Sequence, residues 1–285
     1  MIVITGNKGQ LGYDIEKVCR ARNLDHLGID INELDITNQV DVQNFFIENK
    51  MDTFIHCAAF TAVDAAEDKP ELCYKVNTEA VKYLVDACKL HNVTFIFIST
   101  DYVFSGQKDG VYLPEDKTSP LSVYGQSKAD AEAYIQSQLE KYYIVRISWA
   151  FGLNGKNFVR TMLRLGKERT NISVVADQIG SPTYTKDVAL LLVDMAQTNR
   201  FGVYHATNEG FCSWADFTRY IFLKANLSTE VKEILTVDYP TRAARPMNSR
   251  LSKDKLEQLG FDRLPTWQSA VDRYLEELIE HEGSL

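Results

Sequence analysis

Several classes of protein are excluded by what this sequence lacks. No stretch approaches the roughly 18 apolar residues of a membrane-spanning helix, and the opening Met1-Ile-Val-Ile-Thr-Gly6 has neither a basic segment nor a long apolar one. There is no basic excess: 31 Lys and Arg stand against 39 Asp and Glu, a formal charge of −8. That balance argues against a general nucleic-acid or acidic-membrane surface. It leaves room for a local amide-lined or basic site for a small anion. Cysteine is scarce and odd in number, with Cys19, Cys57, Cys73, Cys88 and Cys212 and no C-x-x-C pair. These read as reduced core residues of a cytoplasmic chain. Repeats and low-complexity tracts are absent, as is any cluster with metal-ligand spacing, so no metal is expected. What remains is 285 residues, 45% hydrophobic and 25% charged. That is an ordinary globular composition, long enough for one large domain or two modest ones.

The chain opens on Ile2-Val3-Ile4, a β-branched run typical of a buried parallel strand. It runs into Gly6-x-x-Gly9-x-x-Gly12, with Leu11, Ile15 and Val18 at helical spacing behind it. A strand, a glycine turn and a helix start together form a phosphate site. Glycine lets the backbone approach a pyrophosphate, and the helix N-terminus presents free N–H groups. The spacing is a variant of G-x-G-x-x-G, and its position between strand and helix gives it weight beyond close packing. A second strand near His26 ends at Asp30, 18 residues after Gly12. An acidic residue at about that offset holds an adenosine ribose. No arginine follows Asp30, which favours NAD, while Lys8 in the glycine loop keeps NADP open. Asp35 or Thr37 is expected to cap a helix over 39–49.

The third strand, Thr53–Cys57, ends in Ala58-Ala59-Phe60-Thr61. Small residues there leave space for a flat ligand, or simply pack a loop. A helix is expected over 71–91. The fourth strand, Val93–Ile98, ends abruptly in Ser99-Thr100-Asp101, which marks the carboxyl edge where α/β sheets bind ligands. A loop over 105–123 precedes Tyr124-Gly-Gln-Ser-Lys128. At i and i+4 a phenol and an ammonium share a helix face. A tyrosine has an ordinary pKa of about 10, and a nearby cation lowers it. The pair is a candidate general acid with its tuner, although alone it is also a common solvated pair. A fifth strand, Tyr143–Ser148, leads into Trp149.

This order predicts an α/β fold, a Rossmann-like doubly wound parallel sheet with a smaller interleaved C-terminal lobe. Residues 1–151 would form the dinucleotide-binding part, with returns near 178–207, and 152–285 mainly the substrate lobe. Beyond Gly152 helices are expected over 157–167, 186–198, 213–225 and 266–280, with Ser213 and Asp216 as a capping box. Strands are expected at 172–175 and, as the final strand, at Val203–Ala206. Arg242-Ala-Ala-Arg245-Pro246 reads as a basic loop.

Thr5-Gly6-x-x-Gly9-x-x-Gly12, Ala58-Ala59, Asn77, Ser99-Thr100-Asp101 and Tyr124-x-x-x-Lys128, in that order, resemble the short-chain dehydrogenase/reductase superfamily in its extended, nucleotide-sugar-modifying branch. Gly9-Gln-Leu-Gly12, Leu34-Asp-Ile-Thr37, Thr61-Ala-Val-Asp64, Ser99–Gly106 and Arg245-Pro246-x-Asn248-Ser249 sharpen the likeness. Together they are similar to the dTDP-4-dehydrorhamnose reductases. The resemblance implies reduction of the 4-keto group of dTDP-4-dehydro-L-rhamnose to dTDP-L-rhamnose by NADPH or NADH. It implies Thr100, Tyr124 and Lys128 as the catalytic set. The cofactor would meet Gly6, Gly9, Gln10, Leu11, Gly12, Asp30, Asp35, Ile36, Ala59, Phe60 and Thr61, as well as Tyr124 and Lys128. The sugar nucleotide would meet Thr100, Asp101, Trp149 and Arg245.

In related dehydratases acidic residues directly follow the threonine; here Asp101 is followed by Tyr102, so that acid/base pair is incomplete. Two rival readings are an NADP-binding regulatory subunit of methionine adenosyltransferase type, and a 4-ketoreductase or epimerase for another nucleotide sugar. A homodimer is compatible with the family. Some members hold magnesium at a dimer contact, where Asp187 could stand, but no ligand cluster accompanies it.

Overall fold

The structure is a computed structural model and describes residues 1–283. Its first half comprises β1 (Ile2–Thr5), α1 (Gln10–Ala21), β2 (His26–Ile29), α2 (Gln39–Glu48), β3 (Thr53–His56), α3 (Val63–Asp68), α4 (Pro70–Tyr74), α5 (Ala80–His91), β4 (Thr94–Thr100), α6 (Val123–Gln138) and β5 (Tyr142–Ile147). The second half adds β6 (Ala150–Phe151), α7 (Phe158–Glu168), β7 (Asn171–Val175), β8 (Ile179–Gly180), β9 (Thr183–Tyr184), α8 (Thr185–Ala196), β10 (Gly202–His205), β11 (Cys212–Ser213), α9 (Trp214–Lys224), β12 (Glu230–Ile234), α10 (Asp254–Gln258) and α11 (Trp267–Glu282).

Six parallel strands form the central sheet in the order β10-β5-β4-β3-β1-β2. Their β-branched and aromatic runs are buried on both faces, as a parallel sheet requires. Ile4, Ile55 and Val145 look toward α1 and α8, where Ile15, Val188 and Leu192 meet them. Val3, Phe54, Phe95 and Phe97 look the other way, onto Val42, Leu84, Val85 and Ile135 of α2, α5 and α6. A separate core in the C-terminal part gathers Phe151, Val159, Phe217, Trp267 and Tyr274. The doubly wound sheet anticipated from the strand–helix alternation is the one observed.

Local details depart from the sequence reading. The helix expected over 71–91 is interrupted. Pro70 starts α4, and a π-turn at Lys75–Glu79 separates it from α5. Neither Asp35 nor Thr37 caps α2: the Asn38 side chain accepts from Val40 and Asp41, while Asp35 accepts from the Thr37 amide and hydroxyl. The strand at 203–206 is not the last, because β11 and β12 follow and pair with β8 and β7. The Ser213–Asp216 capping box is present.

One buried ion pair joins α6 to the sheet. The Glu132 carboxylate of α6 accepts from Arg146 Nη2 of β5 at 2.6 Å and from Ser99 Oγ of β4 at 2.5 Å. Both charged side chains are at most 3% exposed. Arg146 also donates to the Pro114 carbonyl. Removing the carboxylate would strand the guanidinium in the interior. Glu132→Leu should therefore lower the unfolding free energy by about 3–5 kcal/mol in urea titrations. An exchange of an exposed pair such as Arg164–Glu168 should change it by less than about 1 kcal/mol.

Candidate active site

The carboxyl ends of the sheet strands open into a cleft of about 650 Å³. Its floor is set by a short link between two strands. The Thr5 hydroxyl, at the end of β1, lies 2.8 Å from His56 Nδ1 and accepts from the amides of Cys57 and Ala58. The glycine turn therefore lies hard against the end of β3. Gly6 has a positive φ of 66°, and a Cβ there would lie 2.9 Å from the Ala58 nitrogen. Gly9 is the N-cap of α1 and no side chain caps that helix. The first amides of α1 are thus left for an external acceptor, and the glycine cradle fits a pyrophosphate. Gly12 plays another part: a Cβ there would meet the Gly6 carbonyl at 2.3 Å, so it lets the helix close onto its own turn.

Gly6, Gly9, Gln10, Leu11, Asp30, Ala59 and Thr61 line the cleft, as do Thr100, Asp101, Tyr124, Lys128 and Trp149. Gly12, Asp35, Ile36, Phe60 and Arg245 are not among the residues that line it. Ile36 packs against the core under α2. Phe60 is fixed through its backbone, whose N–H and C=O both bond to the Asn77 side chain at 2.8 and 3.1 Å. Asn77 sits in the π-turn and also donates to Ser127 Oγ, so one amide joins the loop after β3 to the residue before Lys128.

The far side of the cleft is built at the N-terminus of α6. Ser122 caps this helix by accepting from the Gly125 amide at 3.1 Å. That cap places Tyr124 in the first turn. Gly125 is compelled, since a Cβ would meet the Tyr102 carbonyl at 2.2 Å. Thr100 Oγ1 donates to Asp101 Oδ1 at 3.0 Å and accepts from the Tyr102 amide, and its hydroxyl lies near enough to the Tyr124 phenol to favour the phenolate. The Tyr102 and Tyr124 rings meet edge to face with centroids 5.7 Å apart. Ser249 Oγ donates to the second Asp101 oxygen at 2.5 Å.

The electrostatics differ from the expectation that Lys128 lowers the tyrosine's pKa. Burial dominates at both residues. It holds the Tyr124 phenol well above its ordinary value, against the opposing influence of the nearby Thr100 hydroxyl. It brings the Lys128 ammonium down to about 7, against the pull of Glu132. The Lys128 nitrogen lies 3.9 Å from the centroid of the Phe97 ring, which gives it a cation–π partner in place of solvent. Burial likewise raises Asp101 to about 6 and, with Lys128 nearby, lowers His56 to about 3. The i, i+4 rule places both groups on one face, but it carries no information about how far water is excluded from that face.

Trp149 lines the cleft in a left-handed conformation, φ 49°, and stacks on Trp214 at 3.6 Å between centroids. A bulky residue in that region stores about 1–3 kcal/mol of strain. Its ring also explains Gly180, where a Cβ would come within 2.8 Å of the indole. Arg245 donates to the Tyr102 phenol at 2.8 Å and to Asp64 at 2.5 Å. Asp187 is bidentately paired with Arg273 and accepts from Asn208. Among the described residues no group of three or more His, Cys, Asp or Glu is placed to hold a metal ion.

Sequence reasoning missed part of the wall. Ile98, Ile147 and Ser148 are strand-end residues beside ones already singled out, so the same signal could have reached them. Asn154, Gly155 and Lys156 come from the C-terminal part. Asn154 donates to the Lys8 carbonyl and Asn157 to Gln10 Oε1. Nothing in the local sequence indicates that this loop crosses the glycine turn.

A glycine-turn phosphate cradle and a threonine–tyrosine–lysine group at one edge of a parallel sheet define a nicotinamide-dependent oxidoreductase of the short-chain dehydrogenase/reductase class. Comparison with known proteins narrows the class. The chain belongs to the family described as the RmlD substrate binding domain, whose model matches residues 1–280. A dTDP-4-dehydrorhamnose reductase of Aggregatibacter actinomycetemcomitans is 42% identical over 284 residues, covering 95% of this chain and 96% of that protein. The spore coat polysaccharide biosynthesis protein SpsK of Bacillus subtilis is 33% identical and covers 97% of each chain. The solved dTDP-4-dehydrorhamnose reductase of Bacillus anthracis, in complex with NADP, superposes with a TM-score of 0.94 at 39% identity, covering 97% of this chain and 98% of that one.

The state of Lys128 can be tested without substrate. Its folded value of about 7 lies below the ordinary 10.5, so between these limits the unfolded chain binds the extra proton. Stability then rises with pH across that window, by up to about 1.4 kcal/mol per pH unit. Urea unfolding from about pH 7 to 9 should show this rise in the wild type and a flatter profile in Lys128→Met.

Proposed function

We propose that this chain reduces the 4-keto group of dTDP-4-dehydro-L-rhamnose with NADPH, forming dTDP-L-rhamnose for polysaccharide biosynthesis. The observation that carries the reading is the convergence of Thr100, Tyr124 and Lys128 on the cleft lined by Gly6, Gly9 and Gln10. When bound, the nicotinamide supplies the hydride for C4. Gly6, Gly9, Gln10 and Leu11 cradle its pyrophosphate, with Gly12 shaping the turn behind them. Asp30 faces the adenosine ribose, backed by Asp35 and Ile36. Ala59 and Thr61, with Phe60 held behind them, form the nicotinamide side.

Tyr124 gives the proton that the C4 oxygen needs. Burial keeps its phenol protonated at neutral pH, and the protonated phenol is the form that donates. Lys128 holds the nicotinamide ribose. A buried lysine poised near neutrality gains its full charge beside an anionic intermediate, and so favours the tyrosinate as the proton leaves. Thr100 hydrogen-bonds the reacting oxygens, and Asp101 and Trp149 line the sugar. Arg245 serves the substrate diphosphate by exchanging its Asp64 partner for a phosphate.

NADP is favoured by the NADP-bound Bacillus anthracis relative, and Lys8 is a suitable partner for a 2′-phosphate. In this reading residues 1–151, with returns near 178–207, serve the dinucleotide and 152–285 mainly the sugar. A homodimer and a cytoplasmic location belong to the same proposal. Among the described residues no helix is long and apolar enough to cross a membrane.

The test is the loss of nicotinamide absorbance with enzymatically prepared dTDP-4-dehydro-L-rhamnose, run with NADPH and with NADH. Wild type should turn over, faster with NADPH. Tyr124→Phe should lose at least about 100-fold in kcat while its NADPH affinity stays within about twofold. A wild type that binds NADPH but oxidises none would favour the regulatory-subunit reading. Turnover confined to another sugar nucleotide would favour the sister-reductase one.

A further inference from the structure

The loop between β12 and α10 reaches both hydroxyl-bearing residues of the candidate site. Arg245 bonds the phenol of Tyr102, whose ring meets that of Tyr124 edge to face. Four residues on, Ser249 bonds Asp101, the partner of Thr100. The loop is held there independently of these side chains. The Ser249 amide donates to the Ile179 carbonyl at 2.7 Å, and the Asn248 amide side chain donates to the carbonyls of Lys108 and Gly110. Gly106 admits the loop closely: a Cβ there would lie 2.6 Å from Pro246 Cα.

A threonine hydroxyl has one proton to donate. At Thr100 two oxygens compete for it. One is Asp101 Oδ1, which holds it at 3.0 Å; the other is the Tyr124 phenol oxygen, which lines the same cleft beside the hydroxyl and lies near enough for it to favour the phenolate. The Asp101 side chain is 3% exposed, so water does not arbitrate. How strongly Asp101 competes depends on its other bond, from Ser249 on Oδ2, and on the nearby backbone amides that favour its charged form. The titratable groups facing it are the Tyr102 and Tyr124 phenols, with Arg245 beyond Tyr102.

We propose that Ser249 is a positioning residue: by donating to Asp101 it weakens that carboxylate's hold on the Thr100 hydroxyl and frees it to turn toward Tyr124 as the tyrosine gives up its proton. The inference rests on the proposed reduction. No additional proton is transferred. The Tyr124 proton goes to the C4 oxygen, the hydride comes from the nicotinamide, and the Thr100 proton changes only its acceptor. The new tyrosinate then receives a hydrogen bond at the moment its charge forms, where a preset donor counts most. Through this contact the C-terminal part of the chain bears on the proton-transfer step without touching the reacting atoms.

Ser249→Ala and Ser249→Thr, made in the full chain, test this. In single-turnover oxidation of bound NADPH, Ser249→Ala should slow the reaction about tenfold, with KM for the sugar nucleotide within about twofold of wild type. Ser249→Thr keeps a hydroxyl and should restore the rate. An isotope-edited NMR titration of the Asp101 carboxyl should show its midpoint, about 6 in the wild type, moving upward in Ser249→Ala, since the lost bond favoured the charged form. An unchanged rate in Ser249→Ala, a loss that Ser249→Thr fails to repair, or an effect confined to KM would overturn the proposal. So would an unmoved carboxyl titration. A wild type inert toward the 4-keto sugar would tell against the reduction itself, and the carboxyl titration would still decide the Ser249 contact.

Discussion

A carboxylate sealed inside the protein sets the separation between helix and sheet on which the site depends. Glu132 lies one helical turn beyond Lys128 and two beyond Tyr124. It accepts from Ser99, the residue before Thr100, and from Arg146 on the neighbouring strand. All three proposed catalytic side chains are thereby referred to one fixed point. Such a pair contributes little net stability over apolar residues of the same volume, because desolvation offsets most of the attraction. What it supplies is register. Leucine packing tolerates a small slide of α6, whereas a carboxylate bonded from two strands does not.

The same dryness that makes this pair demanding governs the chemistry. Tyr124, Lys128, Asp101 and His56 all shift toward their neutral forms, and burial is the largest cause in each case. A site whose Asp101 and Lys128 are poised near neutrality can respond strongly to incoming charge. Each phosphate or developing oxyanion is screened weakly, so it is felt by every donor within reach. The charge balance of the site is thus readily shifted by the ligands that arrive in it.

Much of this was legible in the sequence because the deciding signals are local. Strand, glycine turn and helix follow one another within twelve residues, and the strand-end Ser99-Thr100-Asp101 is marked by an abrupt change of polarity. The reading failed where distance in the chain was long. The π-turn that aims Asn77 at Phe60 leaves no periodic trace. Asn154 reaches Lys8 across 146 residues, and Arg245 meets Asp64 across 181. The sense of the Tyr124 shift was misjudged for a related reason. The neighbour at i+4 is visible in the sequence, but the exclusion of water is a property of the whole fold.

The paired indoles beside the cleft have an optical consequence. The Trp149 and Trp214 rings lie at an interplanar angle of 12°, close enough for their excited states to couple, while the remaining tryptophan, Trp267, stands among Phe217 and Tyr220. The circular dichroism of the protein should then carry a contribution from one stacked pair, one of whose members lines the cleft. The molecule carries an intrinsic chromophore whose handed signal follows the wall of its own binding site.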